Sequence, residues 1–324
     1  MTHPIPKTTA IPYREWLEKG MHGEMQYLEK HLPKKEDIFL IHPTVKTVIS
    51  LGYYYYTSYE QDQNYEGTIG KISKYAWGTD YHEVIWEKMK SLTEYLKTLD
   101  PQSENIYYCD TGPIFEKEYA RLSGLGWIGK NTLLINQKFG SYVFLAEILT
   151  NIEFSEEIKL DTDHCGSCQR CIDACPTDAL TPYELDARKC IAYLTIEKKS
   201  SLTENEQKMV GEHVFGCDIC QDVCPWNNKM SQKINESLLN SSKETFHAQK
   251  ELSQPILEEL IQIDPEEFKI KFKDSPIKRS KYLGFLRNVI VAMKNTQSPN
   301  NLDENKQKML KEISERYPEL KEYV

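Results

Sequence analysis

No apolar run in the 324-residue chain approaches the ~18–20 residues needed to cross a bilayer, so no membrane span is expected. The first residues, Met1-Thr-His-Pro-Ile-Pro, lack the charged-then-apolar pattern of a secretory signal. A reducing, cytoplasmic setting is therefore expected, and structural disulfides are not. Net positive charge is also missing: 40 Lys and Arg stand against 49 Asp and Glu, a balance of −9. Such a chain is a poor nonspecific binder of nucleic acid, although a local basic site is not excluded. Apolar residues still make up 40% of the chain, enough for a core, and the length suits two or three domains.

Cysteine is what the chain does have. Eight of its nine cysteines fall in two groups. The first is Cys165-Gly-Ser-Cys168-Gln-Arg-Cys171-Ile-Asp-Ala-Cys175-Pro176. The second is Cys217-Asp-Ile-Cys220-Gln-Asp-Val-Cys224-Pro225, with Cys190 upstream. These are the C-x₂-C-x₂-C-x₃-C-P run of two-cluster ferredoxins and a shortened second copy. In those ferredoxins the cysteine before proline turns away and ligates the other cube. Carried over, one [4Fe–4S] cluster takes Cys165, Cys168, Cys171 and Cys224, and the other takes Cys175, Cys190, Cys217 and Cys220. Zinc sites also use paired C-x₂-C, but they need four ligands each and not this run with its terminal Cys-Pro. Cys109, in an apolar strand-like stretch, reads as a buried thiol.

The fold class expected is α+β. Residues 1–155 read as an α/β unit. Arg14–His31 looks helical with a break at Gly20–Gly23, and Val45–Tyr54 is β-rich. Asp80–Leu99 is an amphipathic helix carrying Val84, Ile85, Met89, Leu92, Leu96 and Leu99 at near-3.6 spacing. Asn105–Cys109 reads as a strand and Pro113–Ser123 as a helix. Leu133–Asn136 and Ser141–Leu149 read as a hairpin. Tyr53–Tyr56 are expected to alternate between two faces, mainly in core packing. Residues 156–230 form a ferredoxin-like module, and 231–324 a helical region long enough for one helical-hairpin repeat. Phe268 to Lys294 carries eight Lys and Arg against one Asp, a local charge of +7 that leaves −16 elsewhere. That segregation suits a phosphate-binding surface.

Several further strings coincide with the cysteine runs. They are Trp16-Leu…Gly20-Met-His22-Gly23-Glu24-Met25, Tyr75-Ala-Trp77-Gly78-Thr-Asp80-Tyr-His82, Asp110-Thr111-Gly112-Pro113 and Gly124-Leu-Gly-Trp127-Ile-Gly-Lys130-Asn131. Cys224-Pro225-Trp226-Asn227 and Lys278-Arg279…Gly284-Phe-Leu-Arg287-Asn288 complete the set. Together they resemble the epoxyqueuosine reductases, cobalamin-dependent enzymes of tRNA queuosine synthesis, over roughly Arg14 to Lys294. Two departures stand out: Pro43-Thr44-Val45-Lys46 replaces the family's Pro-Gly-Ala-Lys, and Lys117 stands where an arginine is common. Family members also usually carry further residues before the Trp16 stretch, leaving open a missing helix and strand or a misassigned start.

The resemblance implies an N-terminal cobalamin-binding domain, base-off cobalamin, two [4Fe–4S] clusters and a HEAT-like C-terminal region. The substrate would be epoxyqueuosine at the wobble position of tRNAs with GUN anticodons (Asp, Asn, His, Tyr). An external low-potential donor would supply electrons; a monomer is the default expectation, independent of the resemblance. Asp110 takes the proton-donor position, its carboxyl kept protonated by burial against the corrin. Its alternative is a helix cap before Pro113. Asp80 and His82 belong beside the substrate. Asp110, Lys35, Ser73, Trp127, Asn131 and Ser141 would meet the cofactor. Lys278, Arg279, Lys281 and Arg287 would meet the tRNA backbone. An Asp-x-His-x-x-Gly cobalt-ligand loop is rejected at Asp80, because Ile85 replaces the glycine. The competing readings are a reductive dehalogenase-like cobalamin and iron–sulfur enzyme, and a ferredoxin fused to a protein-binding domain.

Overall fold

Residues 7–59, 67–155, 158–227, 236–296 and 304–324 are described by a computed structural model. In chain order, α1 (Lys7–Glu18) and α2 (Tyr27–Glu36) precede β1 (Thr47–Tyr54). Then come β2 (Lys71–Ile72), α3 (Tyr81–Leu99), β3 (Asn105–Tyr108) and α4 (Glu116–Leu122). Strands β4 (Trp127–Ile128), β5 (Leu134–Ile135) and β6 (Val143–Thr150) follow. The cysteine region holds α5 (Arg170–Asp173), β7 (Leu180–Thr181), β8 (Glu184–Leu185), α6 (Ile191–Ile196), α7 (Glu204–Val210), β9 (His213–Phe215) and α8 (Ile219–Asp222). Helices α9 (Glu236–Phe246), α10 (Leu257–Leu260), α11 (Pro265–Lys271), α12 (Lys281–Asn295) and α13 (Glu304–Arg316) lie beyond it.

The expected division into 1–155, 156–230 and 231–324 is not the one seen. Two compact units are built from interleaved segments: residues 1–56, 81–187 and 219–245 form one, and 57–80, 188–218 and 246–324 the other. The cysteine region is therefore shared between them. Cys165, Cys168, Cys171, Cys175, Cys220 and Cys224 fall in the first unit, and Cys190 and Cys217 in the second.

In the first unit β6 is the centre of a three-stranded antiparallel sheet, flanked by β1 and β3. Successive side chains of a strand point to opposite faces, and β6 uses both. On one face Phe144 stacks between Tyr55 and Tyr81, each with ring centroids 4.2 Å from its own. On the other, Leu149 joins Ile38, Val45, Val48, Ile114 and Tyr119 in an apolar cluster. Helix α3 buries Tyr81, Ile85, Met89, Thr93 and Leu96, a stripe at helical spacing that ends before the exposed Leu99. Core packing is the role of the tyrosine run where it is clearest, at Tyr55.

The expected hairpin reduces to one bridge between Asn136 and Gly140. From there the strands part: β5 pairs with β4, while β6 enters the large sheet. Gly140 has φ +64°, and a Cβ there would lie 1.9 Å from Asn227 Oδ1, so the turn closes onto that side chain only as glycine.

The second unit carries a short parallel pair, β2 with β9. Its helices start where the sequence supplies caps. Thr203 and Glu206 form a capping box on α7, and Asp264 and Glu267 form another on α11, where Pro265 occupies the first turn. Helix α12 is buried continuously from Phe285 to Met293. Among the described residues, no helix is long and apolar enough to cross a membrane.

Candidate functional site

The first set of cysteines is gathered by local structure. Cys165 precedes a tight turn that leads to α5, and α5 carries Cys171. Burial, followed by the neighbouring Cys224, Cys165 and Cys168, pushes the Cys171 thiol up. Burial also raises Cys165, opposed by the Lys130 backbone N–H and the Trp127 indole. Thiols that feel one another in this way suit a shared cluster, whose iron would displace their protons. Among the described residues, no three Cys, His, Asp or Glu side chains converge closely enough for a single metal ion.

The wall behind these sulfurs is apolar. Trp127, Ile135 and Cys224 form one buried group, with Cys165 and Trp226 packed on it. The buried Trp127 indole N–H faces the Cys165 sulfur, the kind of donor that can serve a cluster sulfur. Lys130 threads beneath the ligand loop, donating to the carbonyls of Gly166 (2.7 Å) and Cys168 (3.0 Å). These features fit the cubane expected there. Trp127, expected at the cofactor, packs here against Cys165 and Cys224.

The other expected cofactor contacts are already engaged with protein. Ser73 Oγ donates to Asp218 at 2.5 Å. Ser141 is bound through its N–H to Asn227 and through its hydroxyl to Gln221. Asn131 accepts from the Leu133 N–H, and its amide faces the Cys220 carbonyl at 3.5 Å. Lys35 turns inward, donating to the Ile114 carbonyl at 2.8 Å and lying over the Phe115 ring. Burial pushes its proton affinity down, which is the mark of an interior lysine and not of one held out to a phosphate.

Asp110 does stand at an open site. It follows β3 in a left-handed conformation, φ +59°, which aspartate tolerates better than most residues. The helix begins only at Glu116, so Asp110 is not its cap. The Tyr81 hydroxyl donates to Asp110 Oδ2 at 2.7 Å, and His82 Nε2 lies 3.7 Å from the same oxygen. The carboxyl is nevertheless 58% exposed. The burial expected around it is thus not supplied by the protein itself. Asp80, by contrast, belongs to the second unit, where it pairs with Lys278 at 3.0 Å.

Behind Asp110 lies a group of charges that sequence reasoning missed. Glu116, in the first turn of α4, accepts the Asp110 N–H at 2.5 Å. Glu147, from the centre of β6, is fully buried. Burial, then the charge of Asp110, pushes Glu116 up to about 8. Burial, then Glu116, raises Glu147 well above the usual range. The one signal in the sequence was a glutamate inside the apolar strand Val143–Thr150.

The basic segment also divides. Lys278 and Arg279 are each 44% exposed, Arg279 pairing with Glu197 at 2.6 Å, and Lys281 is exposed. Lys278 and Lys281 border a cavity of about 310 Å³ that Lys269 and Lys273 also line, over Phe268 and Tyr282. Arg287 does not belong to this surface. It is buried, and its guanidinium donates to the carbonyls of Leu194 (2.8 Å), Lys198 (3.1 Å) and Ser200 (3.5 Å). There it satisfies carbonyls at the end of α6 that have no helical partner.

Two family models match parts of this chain. Residues 164–227 match a model described as a 4Fe-4S double cluster binding domain. Residues 36–111 match one described as epoxyqueuosine reductase QueG, DUF1730. An epoxyqueuosine reductase of Cellulophaga algicola is 41% identical over 276 residues, 85% of this chain and 86% of its own. The chain belongs to the epoxyqueuosine reductase family.

Solved structures of this family carry the same fold. An epoxyqueuosine reductase with an epoxyqueuosine-modified tRNA-Tyr stem loop superposes with a TM-score of 0.79 at 29% identity, over 93% of this chain and 77% of that one. The Bacillus subtilis reductase, described with its catalytic aspartate loop swung out of the active site, gives 0.79 at 28%, over 95% and 78%. Family membership accounts for a double-cluster module in a chain that mixes helices and strands. Tyr81, Lys130, Glu116 and Glu147 emerge only from the geometry.

Proposed function

We propose that this chain reduces epoxyqueuosine to queuosine in tRNA, with Asp110 as proton donor. The alkene forms as the epoxide oxygen leaves as water, which consumes two electrons and two protons. The observation that carries the reading is the open Asp110 carboxyl, oriented by Tyr81 and His82, in a chain with two cluster-binding cysteine sets. The named relative with bound tRNA stem loop supports the substrate. The dehalogenase-like alternative has no such support.

The cysteine assignment remains as read: Cys165, Cys168, Cys171 and Cys224 for one cluster, and Cys175, Cys190, Cys217 and Cys220 for the other. Cobalamin stays in the proposal through the resemblance alone. Of the six side chains expected to meet it, only Asp110 presents its polar group to an open site. When bound, it would supply a strongly reducing metal centre. The chain's own part is narrower. Tyr81 fixes Asp110 Oδ2, His82 completes the polar rim, and Asp110 holds a proton for the leaving oxygen once substrate and cofactor dry the site. The aspartate loop described as movable in the Bacillus subtilis relative corresponds, in this reading, to the Asp110 turn. The C-terminal helices are read as the HEAT-like part, and the protein as a cytoplasmic monomer fed by an external low-potential donor.

Lys278, Arg279 and Lys281, with Lys269 and Lys273 at the cavity that Lys278 and Lys281 line, form the proposed tRNA-backbone surface. The Lys281 backbone, at φ +59° and ψ 164°, falls in a region that is nearly glycine-only. Lys281→Gly should therefore raise folding stability by about 1 kcal/mol, measured by denaturant unfolding. The same variant should weaken tRNA binding and lower the salt slope of log K by about one. Unchanged tRNA affinity at every salt concentration would remove Lys281 from the interface.

The reading is tested in cells that accumulate epoxyqueuosine. Expressing this chain should convert their tRNA nucleosides to queuosine, for tRNAs with GUN anticodons only. Persistence of epoxyqueuosine despite soluble, iron-loaded protein would overturn it.

A further inference from the structure

Glu147 is the least expected charge in the first unit. It occupies the middle of the central strand, opposite Ser50 on β1 and Tyr108 on β3, and none of its surface reaches solvent. No backbone or cationic donor reaches either carboxyl oxygen, and its hydrogen-bonding contact is with the Glu116 carboxyl. An ionised carboxylate in that position would carry an uncompensated buried charge. The Glu116 carboxyl faces it, so the contact is one acid against another. Two such groups cannot both ionise in an apolar setting, and a shared proton resolves the conflict.

The other charged and titratable groups facing the pair are few. Lys35 reaches it from α2, Tyr119 from α4 and Asp110 from the turn after β3. Lys117, next to Glu116, donates to the Thr132 carbonyl at 2.8 Å. With one proton on the pair, its remaining negative charge is balanced by Lys35. Glu116 is then left able to accept the Asp110 N–H while Glu147 holds it from behind. That hydrogen bond closes on a residue with φ +59°, the conformation that presents the carboxyl to Tyr81 and the open site.

We propose that Glu116 and Glu147 form a one-proton latch that holds the Asp110 turn in its site-facing conformation, making both positioning residues for the proton donor. The mechanistic value rests on the reading of Asp110 given above. The latch itself does not.

The sign of its pH dependence follows from the raised proton affinity. Stability from such an acid is present in full below the ordinary carboxylate range and is lost as pH rises through the folded value, here about 8 for Glu116. Fold stability should therefore fall on the alkaline side. The latch bond itself runs the other way: the Asp110 N–H favours the ionised Glu116 carboxylate, so while Glu147 keeps its proton the Asp110 amide should be up to about tenfold better protected at pH 9, about one unit above that value, than at neutral pH.

Hydrogen exchange by mass spectrometry on a peptide spanning 105–116, corrected for intrinsic pH dependence, reads this directly in the iron-loaded protein. Wild type should gain protection between pH 7 and 9. Glu147→Gln supplies an amide donor to Glu116 and should remove that pH dependence while keeping protection. Glu116→Ala should expose the amide at all pH values and lower kcat by about 10²-fold through misplacement, with KM for tRNA unchanged. Should Glu116→Ala fail to load iron, the Glu147→Gln profile alone decides. Protection unaltered in Glu116→Ala, or a wild-type pH profile in Glu147→Gln, overturns the latch. Loss of turnover in wild type would instead overturn the functional reading and leave the exchange result standing.

Discussion

Asp110→Asn is expected to lower turnover by about 10²- to 10⁴-fold, the range over which a positioned general acid contributes. The substitution isolates the proton. Asparagine tolerates the left-handed backbone at φ +59° as well as aspartate does, so the turn should keep its shape. The Tyr81 hydroxyl can still donate to the side-chain oxygen, and the Glu116 carboxyl can still accept the backbone N–H. Iron content and tRNA affinity should therefore be unchanged, and the loss should appear in kcat. Queuosine formed per unit time under anaerobic, reducing conditions gives the answer. Wild-type kcat in the variant would remove Asp110 from the chemistry and shift attention to His82, 3.7 Å from the same oxygen.

Arg287→Leu should destabilise the second unit by about 3 kcal/mol or more, because it strips donors from buried carbonyls. Those carbonyls belong to Leu194, Lys198 and Ser200, around the end of α6, whose N-terminal cap is Cys190. The neighbouring Asn288 donates to Thr195 O at 2.7 Å and Val214 O at 2.9 Å, tying α6 to β9. Strand β9 runs directly into the segment that carries Cys217. The pair Arg287 and Asn288 thus braces both cysteine-bearing segments of the second unit. Lower melting temperature and selective loss of one cluster's electron paramagnetic resonance signal are expected. Affinity for tRNA, counted per folded molecule, should not move. Lys at this position would restore one donor and only part of the stability. A variant that melts normally yet binds tRNA weakly would return Arg287 to the nucleic-acid surface.

That contrast shows where the sequence could be read and where it could not. The cysteine spacing was legible because each cube needs thiolates at fixed intervals. Helix α3 was legible because its stripe repeats at helical period, and its observed start at Tyr81 is one residue from the expected one. Charge carried less information, because the same guanidinium can face phosphate or a helix end. For Arg287 a clue was present: it sits inside the run Phe285–Met293, whose other members are apolar apart from Asn288, and such a helix is buried all round. Lys35 gave no comparable sign, since its inward turn depends on Ile114 and Phe115, far away in sequence. The hairpin expected at 133–149 failed because strand partners are long-range choices. Only the short bridge at Asn136 and Gly140 is local. Interleaving of the two units, which separates Cys190 and Cys217 from the other ligands in sequence grouping, has no local signature at all.

The most direct test is chemical. Purified protein with both clusters assembled is supplied with cobalamin and a low-potential reductant without oxygen, then given tRNA from an epoxyqueuosine-accumulating strain. Mass spectrometry of the nucleosides should show epoxyqueuosine losing one oxygen to become queuosine, and only when reductant is present. Epoxyqueuosine left intact by fully loaded, fully reduced protein would contradict the account.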